Sequence, residues 1–113
     1  MSSMGEKLAL RHLEGKGYEL ITRNYFIRGG EIDLILKKDG ILVFVEVKTR
    51  RGSNFGFAAE ALTVIKKQKL LRAINTYLNR IPGYVPWRAD LIAIDFTAAN
   101  KAGLSHYQNI FET

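Results

Sequence analysis

Residues 30–50 read GEIDLILKKDGILVFVEVKTR, two apolar runs at 31–37 and 41–49 on either side of Asp39-Gly40. Asp-Gly between such runs predicts a two-residue hairpin turn, because both central positions take positive φ and these two residues tolerate it. The turn sets the register: Lys38 faces Ile41, Leu36 faces Val43, Leu34 faces Val45, Asp33 faces Glu46 and Glu31 faces Lys48. Side chains alternate along a strand. Glu31, Asp33, Glu46 and Lys48 are therefore expected on one face, and Ile32, Leu34, Val45 and Val47 on the other.

Opposed residues have Cβ atoms ~4.5–5.5 Å apart, and two carboxylates at that spacing repel by about 3 kcal/mol at an effective dielectric near 20. Phe44, Val45 and Val47 set Glu46 within an apolar strand, where an unpaired acid is costly. A compensating cation is needed: Lys48 brings one charge and a divalent metal brings two. Mg²⁺ (or Mn²⁺) prefers one or two carboxylates together with water and phosphate oxygens, which makes Asp33 and Glu46 candidate metal ligands. Such a metal polarises a phosphodiester, while Lys48, on the same face, orients or deprotonates an attacking water. Glu31 is a supporting acid. A plainer reading is a surface salt-bridge ladder, in which Glu31 and Lys48 offset each other for about 0–1 kcal/mol.

Working outward, residues 5–16 read as a helix, with Leu10 and Leu13 following Glu6 at i+4 and i+7 and Gly15 and Gly17 ending it. Glu6 lies in line with the leucines, either as a first-turn acid favoured by the helix dipole or as a carboxylate directed inward. A strand is expected at 18–25. After a basic, glycine-containing loop at 50–57, Thr63 is a plausible N-cap. Leu70, Ala73, Ile74, Tyr77, Leu78 and Ile81 then mark an amphipathic helix ending before Pro82. Carried one turn back, that stripe reaches Lys66 and Lys67. Residues 89–96 (ADLIAIDF) read as a strand covered on both faces, and 106–111 as a weaker last one. The order is α-β-β-β-α-β(-β), an α/β fold in a single domain at 1–113 with 97–113 a loosely assigned tail.

The chain of 113 residues carries 17 Lys plus Arg against 11 Asp plus Glu, a net charge of +6, with 47% apolar residues and no cysteine. That composition supports one hydrophobic core and excludes disulfides, thiolate catalysis and Cys-ligated metals. The early charges Glu6, Lys7 and Arg11 leave no room for a signal-peptide core. The longest apolar run, 41–45, is far short of a membrane span. A cytoplasmic protein that does not engage membranes is expected. The charge is not evenly spread: between 48 and 72, Lys48, Arg50, Arg51, Lys66, Lys67, Lys69 and Arg72 stand against Glu60 alone, so the whole excess falls in this window. A clustered basic footprint favours a phosphate backbone, so Arg50, Arg51, Lys66, Lys67, Lys69 and Arg72 are candidate nucleic-acid contacts. For the run 66–72 alone, the wet face of an amphipathic helix explains the charge equally well.

GEIDLI at 30–35 followed by VFVEVKTR at 43–50 resembles the YraN family of bacterial restriction-endonuclease-like proteins. Gly5-Glu6, Asn24-Tyr25, residues 56–62, Lys66, and Arg88 with Asp90 extend the likeness over most of the chain. More distantly the chain is similar to archaeal Holliday junction resolvases and the PD-(D/E)xK nucleases, although Ile32 stands where that pattern has proline. The resemblance implies a mixed central sheet flanked by helices. It also implies a catalytic set of Glu6, Asp33, Glu46 and Lys48, with Glu6 pointing into the site. It further implies a metal-dependent nuclease acting on DNA, branched or structured DNA included, and a two-fold homodimer. Two rivals stand beside it: a non-catalytic nucleic-acid-binding module, and a protein-interaction domain whose basic patch meets an acidic partner.

Overall fold

The computed structural model describes residues 3–51, 63–97 and 101–111. Its elements run α1 (Met4–Gly15), β1 (Glu19–Ile27), β2 (Gly30–Lys38), β3 (Ile41–Arg51), α2 (Val64–Leu78), β4 (Trp87–Phe96) and β5 (Ala102–Tyr107). From position 52 to 62 the expected basic loop and the 56–62 stretch lie outside the described residues. Asp39 and Gly40 have φ of 52° and 78°, the two positive values that the hairpin turn demands. The register then runs as expected from Lys38↔Ile41 to Leu34↔Val45.

The five strands form one mixed sheet in the order β1-β2-β3-β4-β5. Neighbours are antiparallel except β3 and β4. A parallel pair requires a crossover, and α2 lies in the connection that makes it. The two helices cover opposite faces. Ala9 and Leu13 of α1 pack with Leu34, Leu36, Val43, Val45, Ile92 and Ile94, whereas Leu70, Ala73 and Ile74 of α2 pack with Ile35, Leu42, Phe44 and Ala89. Being covered on both sides explains why β2, β3 and β4 are nearly continuous apolar runs.

Several boundaries differ from the sequence reading. The seam of α1 is Gly5, Ala9 and Leu13, with Leu10 only half-buried. β3 runs on through Arg50 and Arg51, two residues expected in the loop. The last strand is Ala102–Tyr107, earlier than 106–111, because Ile110 and Phe111 supply apolar contacts to the α2 side from a turn. Ile32 also changes sides. It packs with the α2 cluster while Leu34 packs with the α1 cluster, so the simple alternation breaks at Asp33.

Candidate active site

The break at Asp33 creates the site. On the β1 side the register passes from Arg23↔Leu34 to Tyr25↔Ile32 without an Asn24–Asp33 pair, and Asn24 has φ of 54°, a left-handed conformation that asparagine tolerates. On the β3 side the ladder stops at Leu34↔Val45, so the expected Asp33–Glu46 and Glu31–Lys48 positions lie beyond regular pairing. There the Val47 N–H donates to Asp33 Oδ2 at 2.8 Å. The carboxylate thus takes a backbone donor where the two strands part.

Asp33 is 8% exposed and Glu46 is half-buried. Burial, and then the charge of Asp33, push the Glu46 carboxyl up to about 8. Burial also raises the Asp33 carboxyl, against the opposing pull of the Val47 N–H. Burial thus favours the protonated form of both carboxyls, and the charge of Asp33 favours it further at Glu46.

α1 brings a third acid. The Ser3 hydroxyl accepts the Glu6 N–H at 3.1 Å and caps the helix, while Gly5 lies so close to β3 that a Cβ there would strike the Thr49 hydroxyl. This contact delivers Glu6 to the site. Burial and then Asp33 raise the Glu6 carboxyl, and its Oε1 is buried with no hydrogen-bond partner among the described residues. Glu6 is therefore both a first-turn acid and an inward one.

α2 brings the cations. Thr63 caps it through the Lys66 N–H at 3.2 Å. A Cβ on Gly30 would run into the Lys69 carbonyl oxygen and the Ala73 side chain, so glycine lets α2 lie directly on the start of β2. Lys66, within hydrogen-bonding reach of Lys48, holds the Lys48 ammonium below the usual lysine range. Lys66 also draws the Asp33 and Glu46 carboxyls down. Sequence reasoning gave Lys66 only a phosphate contact, and its place beside Lys48 is new. The available signals were its position at the inner edge of the apolar stripe and the glycine that α2 packs on.

An open cleft of about 340 Å³ is lined by Phe26, Glu31, Glu46, Lys66, Lys69 and Leu70, whereas Glu6, Asp33 and Lys48 do not line it. Of the other expected nucleic-acid contacts, Lys67 and Arg72 lie on α2, Lys67 half-buried and Arg72 exposed beside Gly29. Arg50 Nε is 3.4 Å from Asp95 Oδ1, and the Arg51 guanidinium lies 5.0 Å from the centre of the Phe96 ring. Both arginines are engaged by β4. Arg88 and Asp90 belong to a separate buried network on the α1 side, described below.

Among the described residues no three His, Asp or Glu side chains form a ready cation cage. The donors that are present nevertheless fit a small hard cation. Asp33 and Glu46 are neighbouring carboxyls that burial disfavours as bare charges, Glu6 Oε1 is unpartnered, and all are oxygens, the chemistry that Mg²⁺ and Mn²⁺ take with one or two carboxylates and water.

A family model described as "Uncharacterised protein family UPF0102" matches residues 5–94, a span that holds every candidate site residue named above. A UPF0102 protein of Roseiflexus castenholzii is 42% identical over 109 residues, covering 94% of this chain and 88% of that one. One from Symbiobacterium thermophilum is 45% identical over 108 residues, covering 95% and 92%. Another, from Nocardia farcinica, is 38% identical over 114 residues, covering 98% and 88%. Among the described residues no helix is long and apolar enough to cross a membrane.

Proposed function

The chain belongs to the UPF0102 family, the family to which its YraN-like motifs correspond, and we propose that it is a metal-dependent nuclease of the restriction-endonuclease-like kind, cutting DNA phosphodiesters. The observation that carries this reading is the pair Asp33 and Glu46, brought together where the β2–β3 ladder ends, with Lys48 and Lys66 beside it. A purely structural ladder does not keep two acids together and two lysines together.

In this reading Asp33 and Glu46 would hold a Mg²⁺ or Mn²⁺ ion, and the chemistry it would supply is positive charge at the scissile phosphate and the leaving oxygen. Lys66 and Lys69 bind phosphate oxygens. Lys48, eased toward its neutral form by Lys66, orients the attacking water and takes its proton as the water oxygen bonds to phosphorus and the P–O bond to the leaving oxygen breaks. Glu6, whose carboxyl feels the charge of Asp33, would add a third oxygen donor beside the pair. A cytoplasmic location and a two-fold dimer belong to the same proposal.

The test is cleavage of labelled linear, flapped and four-way-junction DNA with Mg²⁺ or Mn²⁺. Cleavage should require the metal and disappear in Glu46→Ala and Asp33→Asn. Absence of cleavage on all three substrates, or its survival in Glu46→Ala, overturns the reading. The alternative of a binding module without chemistry gains from the exposure of Lys69 and Arg72 on α2. With Arg50 and Arg51 engaged by β4, about four α2 bases remain for phosphate, and log K should fall with log salt at a slope of about −3 to −4. Binding with that slope and no cleavage selects this alternative.

A further inference from the structure

Phe26 is 66% exposed. A lone exposed apolar residue needs no explanation, but this ring stands on the wall of the cleft that also holds Glu46, Lys66 and Lys69. Its neighbours show that the core does not need it: Tyr25 and Ile27 pack with the α2 cluster, and Tyr25 meets Tyr77 edge-on with ring centres 5.3 Å apart. Phe26 is left facing water opposite Glu31 in the β1–β2 ladder. A large aromatic surface from β1 and ammonium groups from α2 lining one cleft is the composition of sites that hold unpaired nucleotides, where a ring stacks on the base and lysines track the backbone. At about 340 Å³ the cleft lies at the small end of the ~300–1,000 Å³ range of ligand sites, a fit for one nucleotide and not for a duplex.

We propose that Phe26 is a base-stacking residue, and that the DNA taken by this site carries an unpaired nucleotide next to the phosphate held by Lys66 and Lys69. The substrate is then a flap, a single strand or a splayed junction arm, because in continuous duplex each base already has both faces stacked. The inference rests on the nuclease reading for the identity of the ligand, but its test does not need turnover.

Anisotropy in EDTA compares labelled single-stranded DNA, blunt duplex of equal length and a single strand with an abasic position. The wild type should bind the single strand about tenfold or more tightly than the duplex, the gain expected from one stacked base. Phe26→Ala and Phe26→Leu should lose that preference and Phe26→Trp should retain it. An abasic position placed at the stacked nucleotide should weaken the wild type and leave Phe26→Ala unchanged. Thermal melting confirms that these exposed-site variants fold. Equal affinity of wild type and Phe26→Ala for the single strand, equal behaviour of Phe26→Leu and Phe26→Trp, or no binding to any of these DNAs overturns the proposal. The two readings fail separately: selective single-strand binding without metal-dependent cleavage removes the nuclease and keeps the stacking, whereas Glu46-dependent cleavage indifferent to Phe26 does the reverse.

Discussion

Two buried acids on neighbouring parts of one sheet have opposite surroundings. Asp90 is 0% exposed and every approach to it is occupied. Arg88 Nε lies 3.2 Å from both its oxygens, His106 Nε2 is 2.8 Å from Oδ2, and the Asn109 N–H donates to Oδ1 at 3.1 Å. Arg88 in turn donates to the Tyr18 hydroxyl at 2.6 Å. The network ties β4 to β5, to the entry of β1 and to the turn after β5, where the Ile110 N–H also meets the Ala89 carbonyl at 2.9 Å. Asp33 has one backbone donor and a second acid for its neighbour. An acid that holds the fold together finds its cations within the chain. Asp33 instead meets the charges of Glu46 and Glu31, with Lys66 the cation that draws it down.

The largest expected effect breaks this contrast if it is false. Asp90→Asn removes the charge that Arg88 and His106 face and leaves the Arg88 guanidinium, 17% exposed, without its counter-ion. Losing one partner of a buried pair costs about 3–5 kcal/mol. Asp33→Asn keeps an oxygen for the Val47 N–H and removes a charge that burial opposes, so urea unfolding without metal should show it far less destabilised than Asp90→Asn. The same Asp33 variant should lose metal-dependent cleavage. If Asp33→Asn destabilises as much as Asp90→Asn, both acids are structural.

A smaller effect sharpens the comparison through pH. The Glu46 carboxyl, ordinarily near 4.5, is pushed up to about 8 in the fold, so between these values the folded chain holds a proton that the unfolded chain has released. Stability from this source is complete below the unfolded value and is lost as pH rises through about 8. Metal-free melting temperature should decline from pH 5 to pH 8.5, and Glu46→Gln should flatten the decline. Because the cation must displace that proton, Mn²⁺ should raise the melting temperature more at pH 8.5 than at pH 6.5. An unchanged slope in Glu46→Gln removes the Glu46 proton from the account.

Much of this was legible in the residues. Asp39-Gly40 fixed the hairpin and its register as far as Leu34 and Val45, with Asp33 and Glu46 the next residues along. Neither the rupture at that point nor the transfer of Ile32 to the α2 side could be read, since both depend on the Val47 N–H finding the Asp33 side chain instead of a carbonyl and on Asn24 turning left-handed across the strand. Lys66 beside Lys48 was hidden for a related reason. The contact joins residues on two elements through the non-local packing of α2 on Gly30, which no periodicity encodes. β5 was misplaced because AGLSHY at 102–107 is a polar edge strand with little to bury, while the apolar signal at Ile110 and Phe111 belongs to a turn.

The smallest effects concern how the helices are brought to the unsatisfied acids, and here the obstacle decides the size. At Gly30 an added Cβ meets the Lys69 carbonyl oxygen, a backbone atom within α2. It cannot rotate away, so Gly30→Ala must lift the helix, at about 2–3 kcal/mol for overpacking, and must carry Lys66 and Lys69 away from Lys48 and Glu46. DNA affinity should fall together with stability. At Gly5 the added Cβ meets the Thr49 hydroxyl, a side-chain atom that a second substitution can remove, and alanine is the better helix former by up to about 1 kcal/mol. Gly5→Ala alone should cost about 1 kcal/mol in unfolding and shift Glu6. Gly5→Ala with Thr49→Ala should recover the stability and, with Glu6 restored to its place, any cleavage the single variant had lost. A double variant as unstable as Gly5→Ala alone shows that the close approach of α1 to β3 is set by something other than this hydroxyl.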